Sequence, residues 1–137
     1  MKIDIKNLDL TYPSGKQALK NINISLESPS LIGLLGPNGA GKSSLMKLLV
    51  AALLPTNGEI LMNGSPLKDC EKEMKSKSGY LPQSFGLYDE LTVTQFLDYM
   101  AALKGIKNIK ESIERVLEAT YLQEKRKAPI HTLSGGQ

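Results

Sequence analysis

Residues 36–44 read GPNGAGKSS, which fits the pattern G-x-x-x-x-G-K-[ST] at every fixed position. Glycines allow successive backbone N–H groups to turn inward around a phosphate, where side chains would obstruct them. A helix after the loop would present its positive N-terminal end to the same anion. Lys42 could then reach the β- and γ-phosphates of a nucleotide, and the Ser43 hydroxyl could ligate Mg²⁺. The stretch therefore predicts a site for nucleotide phosphates, against the alternative of a glycine-rich turn with a chance Lys-Ser pair.

The segments on either side of this loop fit that role. Residues 31–35 (LIGLL) are almost wholly apolar, which is typical of a strand covered on both faces. After the loop, apolar residues recur at helical spacing as far as Ala52, and the pattern stops before Pro55. Strand, glycine-rich loop and helix in this order are the context that the motif requires.

The remaining first half predicts a small sheet. Ile3 and Ile5 alternate with polar residues, and the phase then slips, which indicates a strand with a bulge near Asn7. Alternation resumes at residues 22–26, and we expect these two strands to pair antiparallel. Further predicted elements are a short strand at 58–64, a solvated helix at 68–77 and a strand at 79–83.

The second half has helical patterns. Thr92 and Gln95 form a capping box, and Leu91 could pack against Phe96 as a hydrophobic staple. Gly105 stands where a left-handed cap would end this helix, and Asn108 opens a second one. The predicted apolar stripes are Val93, Phe96, Leu97, Met100 and Leu103 on the first helix, and Ile109, Ile113, Val116 and Leu117 on the second.

Length and composition are ordinary for one soluble domain. The chain has 137 residues with 41% apolar and 23% charged residues, and its net charge is 17 − 14 = +3. This charge is too small to argue for a nucleic-acid surface, and the basic run at 125–127 beside Glu124 is typical of a solvated helix end. A single cysteine, Cys70, favours a reducing compartment. No stretch resembles a signal peptide or is long enough to span a bilayer, so we expect any membrane role to be cytoplasmic.

Three motifs together carry a resemblance. GPNGAGKSS, YLPQ (80–83) and LSGGQ (133–137) occur in the order found in the nucleotide-binding domain of ABC transporters, and the chain resembles that domain from about Lys2 to Gln137. Residues 79–105 are similar to ATPase subunits of exporter-type systems. The resemblance implies an α/β, P-loop NTPase-like fold. Its expected parts are an antiparallel β subdomain with an incomplete parallel-sheet core (1–84) and an inserted helical subdomain that ends at the signature (85–137).

The resemblance also implies the site residues. Tyr12, which lies 24 residues before Gly36, matches the aromatic residue that stacks on adenine, and Gln83 matches a glutamine that reaches Mg²⁺ and the attacking water. Because stacking uses only the ring, we expect Tyr12→Phe to change little. The implied nucleotide-binding residues are Tyr12, Gly36, Pro37, Asn38, Gly39, Ala40, Gly41, Lys42, Ser43, Ser44 and Gln83, with Ser43 and Gln83 as Mg²⁺ ligands. The implied signature residues, which contact ATP on the opposite subunit, are Leu133, Ser134, Gly135, Gly136 and Gln137.

The implied partners follow from the same family. They are ATP with Mg²⁺, a second nucleotide-binding domain paired head to tail, and a transmembrane permease subunit at the cytoplasmic face of the membrane. Residues 85–91 would lie near the permease, and the alternative that such apolar residues belong to the core of the helical subdomain stays equally open. No nucleic-acid partner is expected.

The sequence looks cut after the signature. The family continues with a strand that ends in Asp and Glu, called Walker B, and with a switch histidine, and neither is found within 1–137. The one Asp-Glu pair, at 89–90, precedes a helix cap, and His131 stands before the signature, where we expect a surface loop residue. Hydrolysis needs a group that positions or polarises the attacking water. We therefore expect residues 1–137 alone not to turn over ATP.

Two alternatives stay open at this point. The chain could come from a soluble ABC-type ATPase that acts on ribosomes or DNA, which a second cassette or a long basic linker would favour. It could also be a non-hydrolysing ATP-binding fragment that competes for the membrane partner.

Overall fold

The computed structural model describes residues 1–82, 88–134 and 136. The chain divides into two compact units, Met1–Tyr80 and Leu81–Gln137. The subdomain boundary that the sequence predicts after residue 84 lies outside the described residues, so it stays a prediction.

The first unit is built on an antiparallel sheet. Its strands are β1 (Lys2–Thr11), β2 (Gln17–Glu27), β3 (Asn57–Met62) and β4 (Ser65–Pro66), in the order β2-β1-β3-β4. The predicted antiparallel pairing of the first two strands is confirmed, with Ile3 opposite Leu26 and Ile5 opposite Ile24. Asn63 and Gly64, both with positive φ, join β3 to β4 as a two-residue hairpin.

The predicted bulge lies at Asn7, which has φ 48°. The registers of β1 with β2 and with β3 both shift there, and the Asn7 N–H donates to Asn23 Oδ1 at 2.9 Å. Gly58 of β3 faces this bulge with φ +77°, and a Cβ at that position would overlap Asn7 O and lie 2.5 Å from Lys6 O. The bulge can form beside β3 because residue 58 has no side chain.

Gly58→Ala should therefore destabilise the first unit strongly. Alanine at positive φ costs about 1–2 kcal/mol, and the overlap with the backbone of β1 adds about 1–3 kcal/mol. Gly64→Ala is the matched control, because Gly64 has φ +86° and no atom within 4 Å of the added Cβ. Urea unfolding followed by circular dichroism should show the larger loss for Gly58→Ala, and equal losses would contradict this packing.

Helix α1 (Lys42–Leu49) packs on this sheet. Leu48 is 1% exposed and Leu8 of β1 is fully buried, so both lie at the centre of the core. The prediction that α1 runs to Ala52 is wrong, because Ala51 turns to φ 54°. The Ala51 N–H donates to Leu48 O at 3.1 Å and the Ala52 N–H to Lys47 O at 2.8 Å, which closes a Schellman motif.

Two predicted strands, at 31–35 and 79–83, are absent from the described residues. Residues 31–35 and 79–82 form no strand, Gln83 lies outside the described residues, and in the first of these segments Leu31 and Leu35 are exposed. A strand needs at least one hydrogen-bonded neighbour, and a strand of a parallel sheet also needs cover on both faces. The four described strands of the first unit pair only antiparallel with one another, and none of them lies beside 31–35.

Helix α2 (Glu71–Lys77) follows a short 3₁₀ turn at Leu67–Asp69, close to the predicted helix at 68–77. Met74 is its buried residue. Lys75 pairs with Glu71, and Lys77 Nζ lies 2.7 Å from Glu73 Oε1, on an exposed face. The solvated helix is therefore confirmed.

The second unit contains α3 (Val93–Leu103) and α4 (Ile109–Ala119). Its core consists of Val93, Ile113, Leu117 and Leu122, with Leu97, Ile109 and Leu133 packed against it. The predicted stripes are narrower than expected, because Leu103 is 64% exposed and Val116 is 44% exposed. Gly105, with φ 67°, ends α3 in a Schellman motif as predicted, since the Ile106 N–H donates to Ala101 O.

The start of α3 is fully capped. The capping box is confirmed, with the Gln95 N–H donating to Thr92 Oγ1 and the Thr92 N–H donating to Gln95 Oε1 at 2.9 Å. The Val93 and Thr94 N–H groups donate to Ala128 O and Arg126 O. The first N–H groups of a helix have no acceptor within the helix. In α3, the first three of them all have hydrogen-bond acceptors.

The part of the chain that the structure describes holds no helix both long and apolar enough to cross a membrane.

Candidate nucleotide-binding site

The glycine-rich loop ends at Gly41, the residue before α1. Gly41 has φ +87°, and a Cβ there would overlap Ala18 O and lie 2.8 Å from Leu19 Cδ2. The loop thus meets β2 at a point where no side chain fits. Strand β2 and the first turn of α1 hold the loop between them.

Within the loop, two further glycines adopt positive φ. Gly39 has φ +86°, and Gly36 has φ +152° with Ala40 Cβ 3.4 Å from where its own Cβ would stand. The Ala40 N–H donates to Pro37 O at 3.2 Å, which makes a tight turn. This backbone leads directly into the start of α1, where the first N–H groups of a helix have no acceptor within the helix. Such a helix start attracts an anion.

Lys42, the first residue of α1, bridges the loop. Its Nζ donates to Gly36 O at 2.7 Å and to Pro37 O at 2.8 Å. An ammonium carries three N–H donors in all. The positive charge is therefore held against the carbonyl groups of Gly36 and Pro37, on the residue that begins α1.

The two serines that follow Lys42 differ in their exposure to solvent. Ser43 is exposed, whereas Ser44 is 8% exposed. The Ser44 Oγ lies 2.9 Å from the hydroxyl of Tyr12, which is half-buried against the core beyond the end of β1. The structure thus brings Tyr12, Lys42 and both serines to one end of α1. Sequence reasoning missed the Tyr12–Ser44 bond, because no pattern links residues 32 positions apart.

The residues at this end of α1 fit a magnesium ion that arrives with phosphates. Mg²⁺ keeps several waters and takes few protein ligands beside the substrate phosphates. Ser43 supplies one exposed hydroxyl at the loop, and among the described residues no group of three or more His, Cys, Asp or Glu could hold a metal. A single hydroxyl next to a phosphate site suits this ion.

Residues 19–137 match the protein family described as "ABC transporter". The chain belongs to this family. A probable ABC transporter ATP-binding protein of Cyanophora paradoxa is 35% identical over an alignment of 144 residues, which covers 99% of this chain and 57% of that protein. The family membership expected from the sequence is thereby confirmed. The expected α/β, P-loop NTPase-like fold class is confirmed by the similarity to solved structures.

Solved structures of ABC transporter proteins agree with this assignment. The dimeric ATP-binding cassette MJ0796, described in a post-hydrolysis state bound to ADP and Pi, is 26% identical with a TM-score of 0.81, and the match covers 98% of this chain and 64% of that one. The protein cbiO1 from Clostridium perfringens, described as part of the transporter complex cbiONQ, is 26% identical with a TM-score of 0.78, at 98% and 56% coverage. The chain therefore spans 56–64% of the length of these three proteins.

Three of the other residues expected at an ABC transporter site, Leu133, Ser134 and Gly136, are described in the second unit. Leu133 packs against the core of that unit, and Ser134 and Gly136 are exposed. Gln83, Gly135 and Gln137 lie outside the described residues. The roles expected for all of these residues stay predictions.

The segment before the signature is attached to the start of α3. The Ile130 N–H donates to Leu91 O at 2.9 Å, and the His131 N–H and Nδ1 both bond Asp89 O. His131 is exposed, as expected, but it lies in a short 3₁₀ turn (Ile130–Thr132) and not in a loop, and its ring anchors that turn to Asp89 O. Nearby, a hydrogen bond with Tyr99 raises the pKa of Tyr88. Sequence reasoning missed the bonds from Ile130 to Leu91 and from His131 to Asp89, because they join segments about 40 residues apart.

Proposed function

We propose that this chain is the ATP-binding part of an ABC transporter subunit, and that it binds Mg-ATP through residues 36–44 and Tyr12. The observation that carries the proposal is the position of the Lys42 ammonium, bonded to two loop carbonyls at the start of α1. A cation, a glycine-rich turn and a helix N-terminus converge there, and each of the three attracts phosphate.

Each residue has a role in this proposal. Lys42 exchanges bonds with loop carbonyls for bonds with the β- and γ-phosphates. Ser43 contributes one ligand to Mg²⁺, which when bound neutralises phosphate charge. Tyr12 stacks its ring on the adenine. The ADP and Pi described for MJ0796 support a nucleotide of this kind.

Gln83 completes the proposed site, where it would reach Mg²⁺ and the attacking water. Two protein partners are also proposed. The first is a second nucleotide-binding domain paired head to tail, whose ATP the signature residues Ser134, Gly135 and Gly136 would contact. A transmembrane permease subunit would hold this assembly at the cytoplasmic face of the membrane. The dimeric state described for MJ0796 and the complex described for cbiO1 support these proposals.

Tyr12→Ala tests the base contact. Stacking contributes about 1–3 kcal/mol per base and tolerates any base, so affinities for ATP and GTP should fall by similar factors of about 5- to 150-fold. Isothermal titration calorimetry of both nucleotides measures this. Tyr121→Ala is the control, because Tyr121 lies in the second unit and is 89% exposed. Unchanged affinities in the Tyr12 variant would remove this residue from the site.

A further inference from the structure

The hydroxyl of Tyr12 makes a bond that ring stacking does not need. Its oxygen lies 2.9 Å from Ser44 Oγ, and these two side chains join the end of β1 to the first turn of α1. The Ser44 side chain is buried, so its hydroxyl requires a partner inside the protein. The hydroxyl of Tyr12 supplies that partner at the phosphate-binding end of the helix.

Building on the proposed function, we propose that the Tyr12 hydroxyl positions Ser44 for phosphate binding. A phosphate oxygen only accepts hydrogen bonds, so Ser44 can bind it only by donating its own hydroxyl proton. Ser44 Oγ then needs a donor of its own, and the Tyr12 O–H is at the right distance. The order of donation is Tyr12 to Ser44 to phosphate, in which each bond polarises the next.

This role separates the hydroxyl of Tyr12 from its ring. The ring contacts the base, whereas the hydroxyl acts through Ser44 on the phosphates. A ligand that has phosphates and no base should therefore sense the hydroxyl alone. Inorganic tripolyphosphate is such a ligand, and a purely stacking or purely structural role of Tyr12 predicts no effect on its binding.

The test is calorimetric titration of the chain with tripolyphosphate and with ATP at one fixed Mg²⁺ concentration. Stacking alone predicts little effect of Tyr12→Phe, but the bond to Ser44 replaces that expectation: the variant keeps the ring and should weaken both ligands by the same factor, about three- to tenfold, as for loss of one intramolecular hydrogen bond. Tyr121→Phe is the matched control, because it removes a hydroxyl from an exposed ring in the second unit. It should change neither affinity.

A double-mutant cycle completes the test. In a Ser44→Ala background, Tyr12→Phe should have no further effect on tripolyphosphate, because its partner is gone. Equal losses in both backgrounds, or a Tyr12→Phe chain that binds tripolyphosphate like the wild type, would overturn the inference and leave the proposed function standing. A wild-type chain that binds neither ligand would overturn the proposed function and this inference with it. Thermal unfolding of each variant confirms that it is folded.

Discussion

Lys42→Ala should weaken Mg-ATP binding by tenfold or more. The Lys42 ammonium bonds Gly36 O and Pro37 O across the mouth of the loop, where phosphates would bind. Hydrogen bonds to charged groups contribute roughly 1.5–3 kcal/mol each, and 1.4 kcal/mol corresponds to about a tenfold change in affinity. Isothermal titration calorimetry measures the difference directly.

Lys47→Ala is the matched control for this variant. Lys47 is an exposed residue in the last turn of the same helix, so its removal changes the net charge equally and leaves the loop intact. Its ATP affinity should equal that of the wild type. Equal losses in the two variants would mean that Lys42 acts only through net charge, and the loop would then not be the phosphate site.

Gly41→Ala should impair both stability and binding. The added Cβ would overlap Ala18 O of β2, and φ +87° is unfavourable for alanine. The strained φ costs about 1–2 kcal/mol and the overlap about 1–3 kcal/mol more. Relief of the overlap moves the loop away from β2, and the loss of a single bond to a charged phosphate is then enough for about a tenfold fall in ATP affinity.

Gly39→Ala is the control that separates the strained φ from the overlap with Ala18 O. Gly39 has nearly the same φ, +86°, and no atom within 4 Å of the added Cβ. Urea unfolding should therefore show a clearly smaller loss of stability for Gly39→Ala than for Gly41→Ala. A Gly41→Ala chain that is as stable as Gly39→Ala and binds ATP normally would contradict the close contact between the loop and β2.

Local patterns predicted the parts of the fold that depend on neighbours in sequence. The glycine-rich loop, the bulge at Asn7, the capping box at Thr92 and the cap at Gly105 were all foreseen, because each is specified by residue types a few positions apart. The end of α1 was not foreseen. Ala51 adopts a positive φ that alanine rarely takes, whereas Pro55 is the visible stop signal.

Features that depend on distant partners could not be predicted in the same way. Residues 31–35 are apolar enough for a buried strand, yet they form none because no described strand lies beside them. The Tyr12–Ser44 bond joins residues 32 positions apart, and the bonds that His131 donates to Asp89 O join residues 42 positions apart. At the site, the phosphate contacts of residues 36–44 stay predictions from the sequence, and the structure added the contact between Tyr12 and Ser44.

The most direct test of the central proposal is amide NMR of the ¹⁵N-labelled chain during titration with Mg-ATP. Binding at the loop predicts large shifts for the backbone amides of residues 39–44, because N–H groups at the start of α1 would donate to phosphate oxygens and the Ala40 N–H, which donates to Pro37 O, lies in the same loop. Amides of the hairpin at Asn63 and Gly64 should move little, since that turn lies elsewhere in the first unit. Saturable binding with no shift at residues 39–44, or no binding at all, would contradict the proposal.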